Sequence, residues 1–179
     1  MATQLSMARE GVITDAMRMV AEDEGLDPEL VRRGVAAGTI VIPKNKNHDF
    51  RPIGIGKGLR TKVNANIGAS GFHNLINEEV AKLEAAIRFG ADSVMDLSTG
   101  NELDQIRTEL IKRCPVMLGT VPIYQAASEG SILRMDPDEL FATIEKQAQQ
   151  GVDFMTVHCG VTRESVGKLR GDERLVGIV

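Results

Sequence analysis

Polar and aromatic side chains recur at the points where apolar runs of this sequence end. Two amides, a thioether, a phenol and an imidazole stand there: Asn64 and Asn66, Met95, Tyr124, and His158. Amide groups can hydrogen-bond a heterocycle or a phosphate, and a tyrosine ring suits recognition of a planar substrate. A histidine at a strand end is a candidate acid, base, substrate contact or metal ligand. The residue types therefore indicate a binding site for a small, flat, polar molecule.

Each of these side chains also has a structural interpretation. The two asparagines can satisfy backbone groups of the loop that follows them, and Met95 can fill the core. Tyr124 can pack on its own loop, and a single histidine such as His158 is more often a hydrogen-bonded structural residue. From the residues alone, both interpretations stay open.

Asp96 is a further candidate, because a carboxylate at a strand end is costly to bury without a purpose. Together with Ser98 and Thr99 it precedes Gly100, and this pattern can equally cap the next helix. Asp96 is therefore either a functional carboxylate or a capping residue.

The elements that must position these residues follow from a repeat. The apolar runs occupy residues 62–68, 93–100, 116–125 and 154–160. They recur about every 30 residues, the length of one strand-plus-helix unit. Apolar runs covered on both faces are typical of parallel strands, whose C-terminal ends bind ligands in barrels and open α/β sheets. The repeat predicts the fold class and the place of the chemistry together.

Helix signals fill the gaps between the runs. Capped or amphipathic segments at 77–89, 102–113 and 137–150 predict helices between strands at 62–68, 93–97, 116–123 and 153–159. Gly90-Ala91-Asp92 echoes Gly151-Val152-Asp153, which indicates one shared turn geometry before two of the strands. An apolar run at 175–179 predicts a fifth strand.

The first 50 residues predict a short helical segment. Thr14 caps a helix that ends at Gly25, Asp27-Pro28 starts a second helix, and a strand at 39–42 leads into a polar loop at 44–49. We expect an α/β protein in which residues 1–50 precede the barrel. Residues 51–179 then form the first four βα units and the start of strand five of a (βα)8 TIM-type barrel. Half a barrel leaves open sheet edges, so we expect the chain to be a fragment or to have a partner.

Composition excludes several classes of protein. A net charge of -4 and 3% aromatic residues offer neither a basic field nor a stacking platform for nucleic acid. No apolar run approaches the roughly 18 residues that span a bilayer, and the N-terminus lacks the apolar stretch of a secretory signal. Cys114 and Cys159 form no C-x-x-C motif and no disulfide framework. These features predict a cytoplasmic protein that binds neither nucleic acid nor membrane.

Other motifs are weak. The glycine-rich stretch 54–58 lacks the Lys-Ser/Thr end of a phosphate-binding P-loop and does not open a helix. His48 and His73 lie in loops without ligand-like spacing, and no zinc motif or Ser-His-Asp order is present. The sequence therefore assigns no metal ligand and no catalytic residue.

The strings at the strand ends are more specific than their composition. They read VNANIG at 63–68, VMDLSTG at 94–100, GTVPIYQ at 119–125, QQGVD at 149–153 and TVHCGV at 156–161. Residues 3–4, 8–9, 11–14 and 42–43, with Asn45, Asn47 and His48, extend the pattern toward the start. In this order, and over nearly the whole chain, the set resembles the phosphomethylpyrimidine synthase family of thiamin biosynthesis.

The resemblance implies a radical S-adenosylmethionine lyase. Such enzymes convert 5-aminoimidazole ribotide to 4-amino-5-hydroxymethyl-2-methylpyrimidine phosphate, using a 4Fe-4S cluster and S-adenosylmethionine, with a possible zinc ion. The family fold is a (βα)8 barrel in a homodimer. Matching motifs place the family's substrate contacts at Asn66, Met95, Tyr124 and His158.

The same resemblance implies what these 179 residues do not supply. The family's cluster cysteines, spaced C-x2-C-x4-C, and its zinc-binding histidines lie in later segments. We therefore expect the isolated chain to be inactive. Two alternatives stay open: 5-hydroxybenzimidazole synthase, which makes the cobalamin lower-ligand precursor from the same substrate, and a non-catalytic half-barrel that binds a ligand or a partner.

Overall fold

The computed structural model describes residues 2–70, 75–129, 136–160 and 162–168. The helices in these ranges are α1 (Gln4–Arg9), α2 (Asp15–Glu24), α3 (Pro28–Ala36), α4 (Ile76–Arg88), α5 (Leu103–Arg113), α6 (Pro122–Glu129), α7 (Pro137–Gln150) and α8 (Arg163–Lys168). The strands are β1 (Ile40–Val41), β2 (Ile55–Gly56), β3 (Asn64–Ile67), β4 (Ser93–Asp96), β5 (Met117–Thr120) and β6 (Phe154–Met155). The predicted fifth strand at 175–179 lies outside the described residues.

Helices α2 and α3 begin and end close to where the sequence predicts. Thr14 accepts a hydrogen bond from the backbone N–H of Met17 at the start of α2, and Gly25 ends the helix in the left-handed conformation. Asp27 accepts one from the N–H of Glu29 at the start of α3. The short helix α1 was not predicted.

A small apolar core holds the N-terminal helices together. Its fully or nearly fully buried members are Ala8, Met17, Val20, Ala21, Val31, Val35, Ile40 and Ile42. Strand β2, from the glycine-rich stretch, pairs antiparallel with β1 and so continues this unit beyond residue 50. The stretch is thus a strand and turn.

Strands β3, β4, β5 and β6 form a parallel sheet in sequence order. Helices cover one face of this sheet. The apolar core between the sheet and these helices contains Ile67, Leu83, Val94, Ile106, Leu110, Ile111, Leu118 and Val152. This burial explains why the strands read as apolar runs. The architecture is α/β, and the described strands form an open sheet.

The third strand is shorter than the sequence predicts. A strand at 116–123 was expected, but β5 ends at Thr120 and α6 begins at Pro122. Proline lacks a backbone N–H and has a helix-compatible φ, so it fits the first turn of a helix. Tyr124 is consequently a helical residue. Strand β6 is also shorter than the predicted 153–159, although Thr156 N–H still donates to the Thr120 carbonyl at 2.9 Å.

The last turn of α2 is docked against the segment that enters β3. Glu24 pairs with Lys62, and both side chains are at most 10% exposed. The backbone N–H of Arg60 donates to the other oxygen of Glu24 at 2.7 Å. Burial opposes ionisation of Glu24, but these donors outweigh it and lower the pKa of the carboxyl. The pair ties the N-terminal helices to the parallel sheet.

Residues 44–50 close the N-terminal end of the sheet, and His48 lies at their centre. Its side chain is 2% exposed, and that of Asp153 is fully buried. Nδ1 of His48 lies 2.6 Å from Oδ2 of Asp153, and Nε2 lies 2.8 Å from the carbonyl oxygen of Cys114. Burial opposes protonation, but these acceptors outweigh it and raise the pKa of His48. The loop histidine of the sequence is a buried ion-pair partner.

Backbone groups complete this junction. Asp153 also accepts hydrogen bonds from the N–H of Asn45 at 2.7 Å and of Leu118 at 2.8 Å. The side-chain amide of Asn47 donates to the carbonyl of Gln149 at the end of α7, at 2.8 Å. The junction therefore joins the N-terminal segment to α7, β5 and β6 at the end of the sheet opposite the predicted site.

No helix in the described ranges is long and apolar enough to cross a membrane.

Candidate functional site

The candidate site residues lie near or just beyond the C-terminal ends of the parallel strands. Asn66 is in register with Met95, Met95 with Gly119, and Gly119 with Phe154. Because strand residues alternate between faces, these positions share the face opposite the one on which Leu118 packs against the helices. We call this the inner face. It presents an amide, a thioether, a glycine and an aromatic ring in one row across four strands.

Asn66 is held by its neighbour on the same face. The side-chain amide of Asn64 donates to Oδ1 of Asn66 at 2.8 Å, and Oδ1 of Asn64 accepts from the hydroxyl of Ser93 at 2.7 Å. Asn66 is exposed. The amide oxygen keeps a second lone pair and the amide nitrogen carries two N–H donors, so both halves of this exposed side chain can contact a ligand.

Met95 extends across the inner face toward β6. Its Sδ lies 3.9 Å from the hydroxyl oxygen of Thr156, which directly follows β6. Strand β5 lies between these two residues, so the Met95 side chain spans it. A partly buried thioether in this position offers a soft apolar surface to a ligand above it.

Tyr124 and His158 form a ring pair beyond the ends of β5 and β6. Their ring centroids are 6.2 Å apart with planes inclined by 24°. Tyr124 is half-buried on the first turn of α6, and His158 is exposed. A near-parallel pair of this kind presents an aromatic surface with a phenol and an imidazole at its rim. The structure thus brings these two residues together.

A buried polar network positions α6 and therefore Tyr124. Oε1 of the adjacent Gln125 accepts hydrogen bonds from Arg107 of α5 at 2.7 Å and from Gln147 of α7 at 2.8 Å. The amide nitrogen of Gln125 donates to Asp104 at 3.1 Å. Three helices are linked through one side chain, which restrains the start of α6.

Asp104 supplies the negative charge of this network. Burial raises its pKa, but hydrogen bonds from Lys146, Gln125 and Gln150 outweigh that effect and lower the pKa to about 2. The hydroxyl of Thr120 at the end of β5 donates to Gln147 at 2.6 Å and joins the network to the sheet.

Asp96 serves the loop after β4. It is 4% exposed, lies on the helix-covered face, and accepts hydrogen bonds from the N–H and hydroxyl of Ser98. Ser98 in turn accepts one from the N–H of Ala69 at 2.9 Å. A Cβ on Gly68 would lie 2.7 Å from the Leu97 backbone, so this close approach needs glycine. Asp96 therefore holds the loop and does not cap α5, whose first turn has no side-chain cap.

The two cysteines lie at different levels of the fold. Cys114 is buried beside His48, and burial raises the pKa of its thiol to about 11. Cys159 is exposed next to His158. Within the described ranges, no group of three or more histidine, cysteine or acidic side chains is placed to hold a metal ion.

Gly119, Phe154 and Thr156 lie on the inner face and were not among the sequence candidates. Thr156 and Phe154 lie two and four positions before His158, and this period-two spacing is the signal that could have found them. Gly119 carries no chemistry, so only its place between Met95 and Phe154 reveals its importance.

Comparison with known proteins identifies the family. Residues 3–179 match the family described as "Radical SAM ThiC family". The chain belongs to this family.

Three similar proteins carry the name phosphomethylpyrimidine synthase. The chain is 50% identical over 183 residues to the protein from Syntrophus aciditrophicus, covering 99% of this chain and 43% of that protein. It is 52% identical to the Desulforudis audaxviator protein, covering 98% and 42%, and 46% identical to the Methanococcus maripaludis protein, covering 99% and 43%. The chain thus spans less than half the length of these relatives.

Proposed function

We propose that this chain supplies one wall of the substrate site in a phosphomethylpyrimidine synthase. The substrate is 5-aminoimidazole ribotide and the product is 4-amino-5-hydroxymethyl-2-methylpyrimidine phosphate. The proposal rests on the inner-face row, in which Asn66 and Met95 are in register. The 50% identity of the chain to a phosphomethylpyrimidine synthase supports it.

Each side chain has a role that fits its surroundings. The hydrogen bond from Asn64 orients the amide of Asn66, and its amide nitrogen donates to the ribotide. Met95 packs on the flat ring, Tyr124 contributes its ring and phenol, and His158 is a hydrogen-bond partner at the rim. These are binding and orienting roles.

The radical chemistry of the family comes from a 4Fe-4S cluster with S-adenosylmethionine, which generates an adenosyl radical. The cysteines of this chain do not fit the cluster. One is buried at the N-terminal end of the sheet and the other is exposed beyond β6, whereas a cluster needs several thiolates converging on one point. We therefore assign no chemical step to this chain, and we assign the cluster and the possible zinc ion to other parts of the enzyme.

The complete enzyme, in this proposal, joins these residues to a further segment that closes a (βα)8 barrel. The open parallel sheet and the length of the relatives support this arrangement. We further propose a homodimer in the cytoplasm.

A binding experiment tests the proposal. Calorimetric titration of the complete enzyme with 5-aminoimidazole ribotide should give saturable binding that His158→Ala weakens and Val157→Ala leaves unchanged. Val157 is the matched control, because it is exposed and adjacent. Absence of ribotide binding by the unmodified enzyme would refute the proposal.

Product analysis separates the two reactions of this substrate. The names of the relatives support the pyrimidine phosphate. Formation of 5-hydroxybenzimidazole by the reduced, complete enzyme would favour the alternative.

A further inference from the structure

One glycine on the inner face is covered by an aromatic ring from the neighbouring strand. A Cβ placed on Gly119 would lie 2.3 Å from both Cε2 and Cζ of Phe154. No side chain fits there while the ring keeps its position, since real contacts of a Cβ are longer than 3.0 Å. The ring of Phe154 therefore occupies the space that a side chain at position 119 would take.

The Met95 side chain, from β4 on the other side of β5, also extends over the space left by Gly119. It is in register with Gly119, and its sulfur reaches Thr156 beyond β6. A larger residue on the strand between them would stand in the path of the thioether. The absence of one side chain thus lets groups from both flanking strands meet over β5.

The Phe154 ring and the Met95 thioether belong to the row that ends at Asn66. Phe154 and Thr156 are half-buried, whereas all four residues of the neighbouring strand β5 are buried. Their partial exposure is on the inner face, because the intervening Met155 packs with the helix-covered core. The Phe154 ring and the Met95 thioether together present an apolar surface on the inner face, unlike the amide of Asn66 and the phenol of Tyr124.

We propose that Gly119 and Phe154 form the floor of the substrate site and set its specificity for a flat heterocycle. This inference rests on the proposed function. The floor contacts the imidazole ring of the ribotide, and the depth above it depends on position 119 having no side chain. Aromatic and thioether surfaces favour a planar π-system over a saturated or absent ring.

Two ligands and three variants of the complete enzyme test the floor. The ligands are 5-aminoimidazole ribotide and ribose 5-phosphate, which lacks the heterocycle. Gly119→Ala pushes the Phe154 ring into the hollow and should weaken ribotide binding about tenfold, since overpacking costs are of this order. Binding of ribose 5-phosphate should stay within about twofold, because it does not reach the floor.

The other variants keep the test valid if Gly119→Ala fails to fold. Phe154→Leu removes Cε2 and Cζ, the two ring atoms nearest to a Cβ at position 119. Alone it should weaken ribotide binding several-fold through loss of the aromatic surface. In the double variant the added methyl group meets no ring, so Gly119→Ala should cause less loss of affinity than in the parent.

The outcomes separate the two proposals. If the unmodified enzyme binds no ribotide, the proposed function fails and the floor fails with it. If the enzyme binds ribotide but Phe154→Leu and Gly119→Ala leave its affinity unchanged, or weaken both ligands equally, the floor alone is wrong. Selective loss of ribotide, with partial recovery in the double variant, supports it.

Discussion

At the N-terminal end of the parallel sheet, His48 and Asp153 are buried and meet acceptors or donors at nearly every polar atom. At the C-terminal edge, Asn66 and His158 are exposed and Tyr124 is half-buried. Both ends use polar side chains close to strand termini. Buried polar groups with all their hydrogen bonds made stabilise the fold, whereas the exposed polar groups at the other ends of the same strands remain available to a ligand.

A second comparison lies within the N-terminal end itself. Asp92 and Asp153 occupy the same position of the echoed turn. Asp92 accepts a hydrogen bond from the N–H of Val63, just before β3, and Asp153 accepts one from the N–H of Leu118 in β5. Asp92 pairs with Arg60, whose side chain is 60% exposed, while Asp153 pairs with buried His48. The two turns have the same geometry, but we expect Asp153 to contribute more to the free energy of unfolding than Asp92.

The largest expected effect is loss of Asp153. Asp153→Ala should lower the free energy of unfolding by about 3–5 kcal/mol, because it leaves His48 and two backbone donors buried without their acceptor. Denaturant titration of the complete enzyme measures this. The C-terminal edge should be spared, so ribotide affinity of the folded fraction should be unchanged. A loss below about 1 kcal/mol would show that water enters the junction.

The pH dependence of stability should trace to His48. Its pKa is raised in the folded state, so its stabilisation is full below the unfolded value of about 6.5 and is lost as pH rises through the folded pKa. His48→Gln should cost about 2–3 kcal/mol at pH 6 and less at higher pH, because hydrogen bonds to a charged donor are lost.

Thermal unfolding of both proteins from pH 5.5 to 9 checks this sign. The groups that face His48 are Asp153, the Cys114 carbonyl and Lys44. A difference between the two proteins that grows with pH would contradict the assignment.

The third largest effect is expected at the C-terminal ends of the strands, on ligand binding. His158→Ala should weaken ribotide binding about tenfold, the value of one hydrogen bond with its ring contact, and change stability by less than about 0.5 kcal/mol. Calorimetry and thermal unfolding on the same preparation separate the two quantities. Equal losses of stability and affinity would make His158 a structural residue like His48.

Tyr124→Phe should have a smaller effect of the same kind. It removes only the phenol, so affinity should fall by about 0.5–1.5 kcal/mol while the ring pair with His158 is kept. Tyr124→Leu is the control that removes the ring as well, and it should weaken binding further. If Phe and Leu behave alike, the ring makes no contribution.

Much of the fold could be predicted because its signals are local. Caps at Thr14, Asp27 and Asp136 and the stop at Gly151 define helix ends within a few residues, and apolar runs define the parallel strands. Strand ends also determine where the candidate site residues lie: Asn66 and Met95 are in register on β3 and β4, and Tyr124 and His158 follow the ends of β5 and β6. Helix α6 was missed because the apolar run continues through Pro122 into it.

The remainder depends on contacts between distant segments. His48 and Asp153 are 105 positions apart, and no periodicity connects a loop histidine to a turn aspartate. The role of Gly119 appears only when Phe154, 35 positions later, is placed beside it. Sequence patterns locate elements well, but they carry little information on which side chains meet across them.

The smallest expected effect tests the echo directly. Asp92→Asn should lower the free energy of unfolding by less than about 1 kcal/mol, because asparagine still accepts from the Val63 N–H and the lost ion pair with Arg60 is exposed. Arg60 lowers the pKa of Asp92, so the same variant should also reduce the acid sensitivity of stability slightly below pH 5. Asp153→Asn, the matched change in the other turn, should cost several times more. Equal losses would mean that the turn geometry, and not the buried histidine, determines the energetic weight of these aspartates.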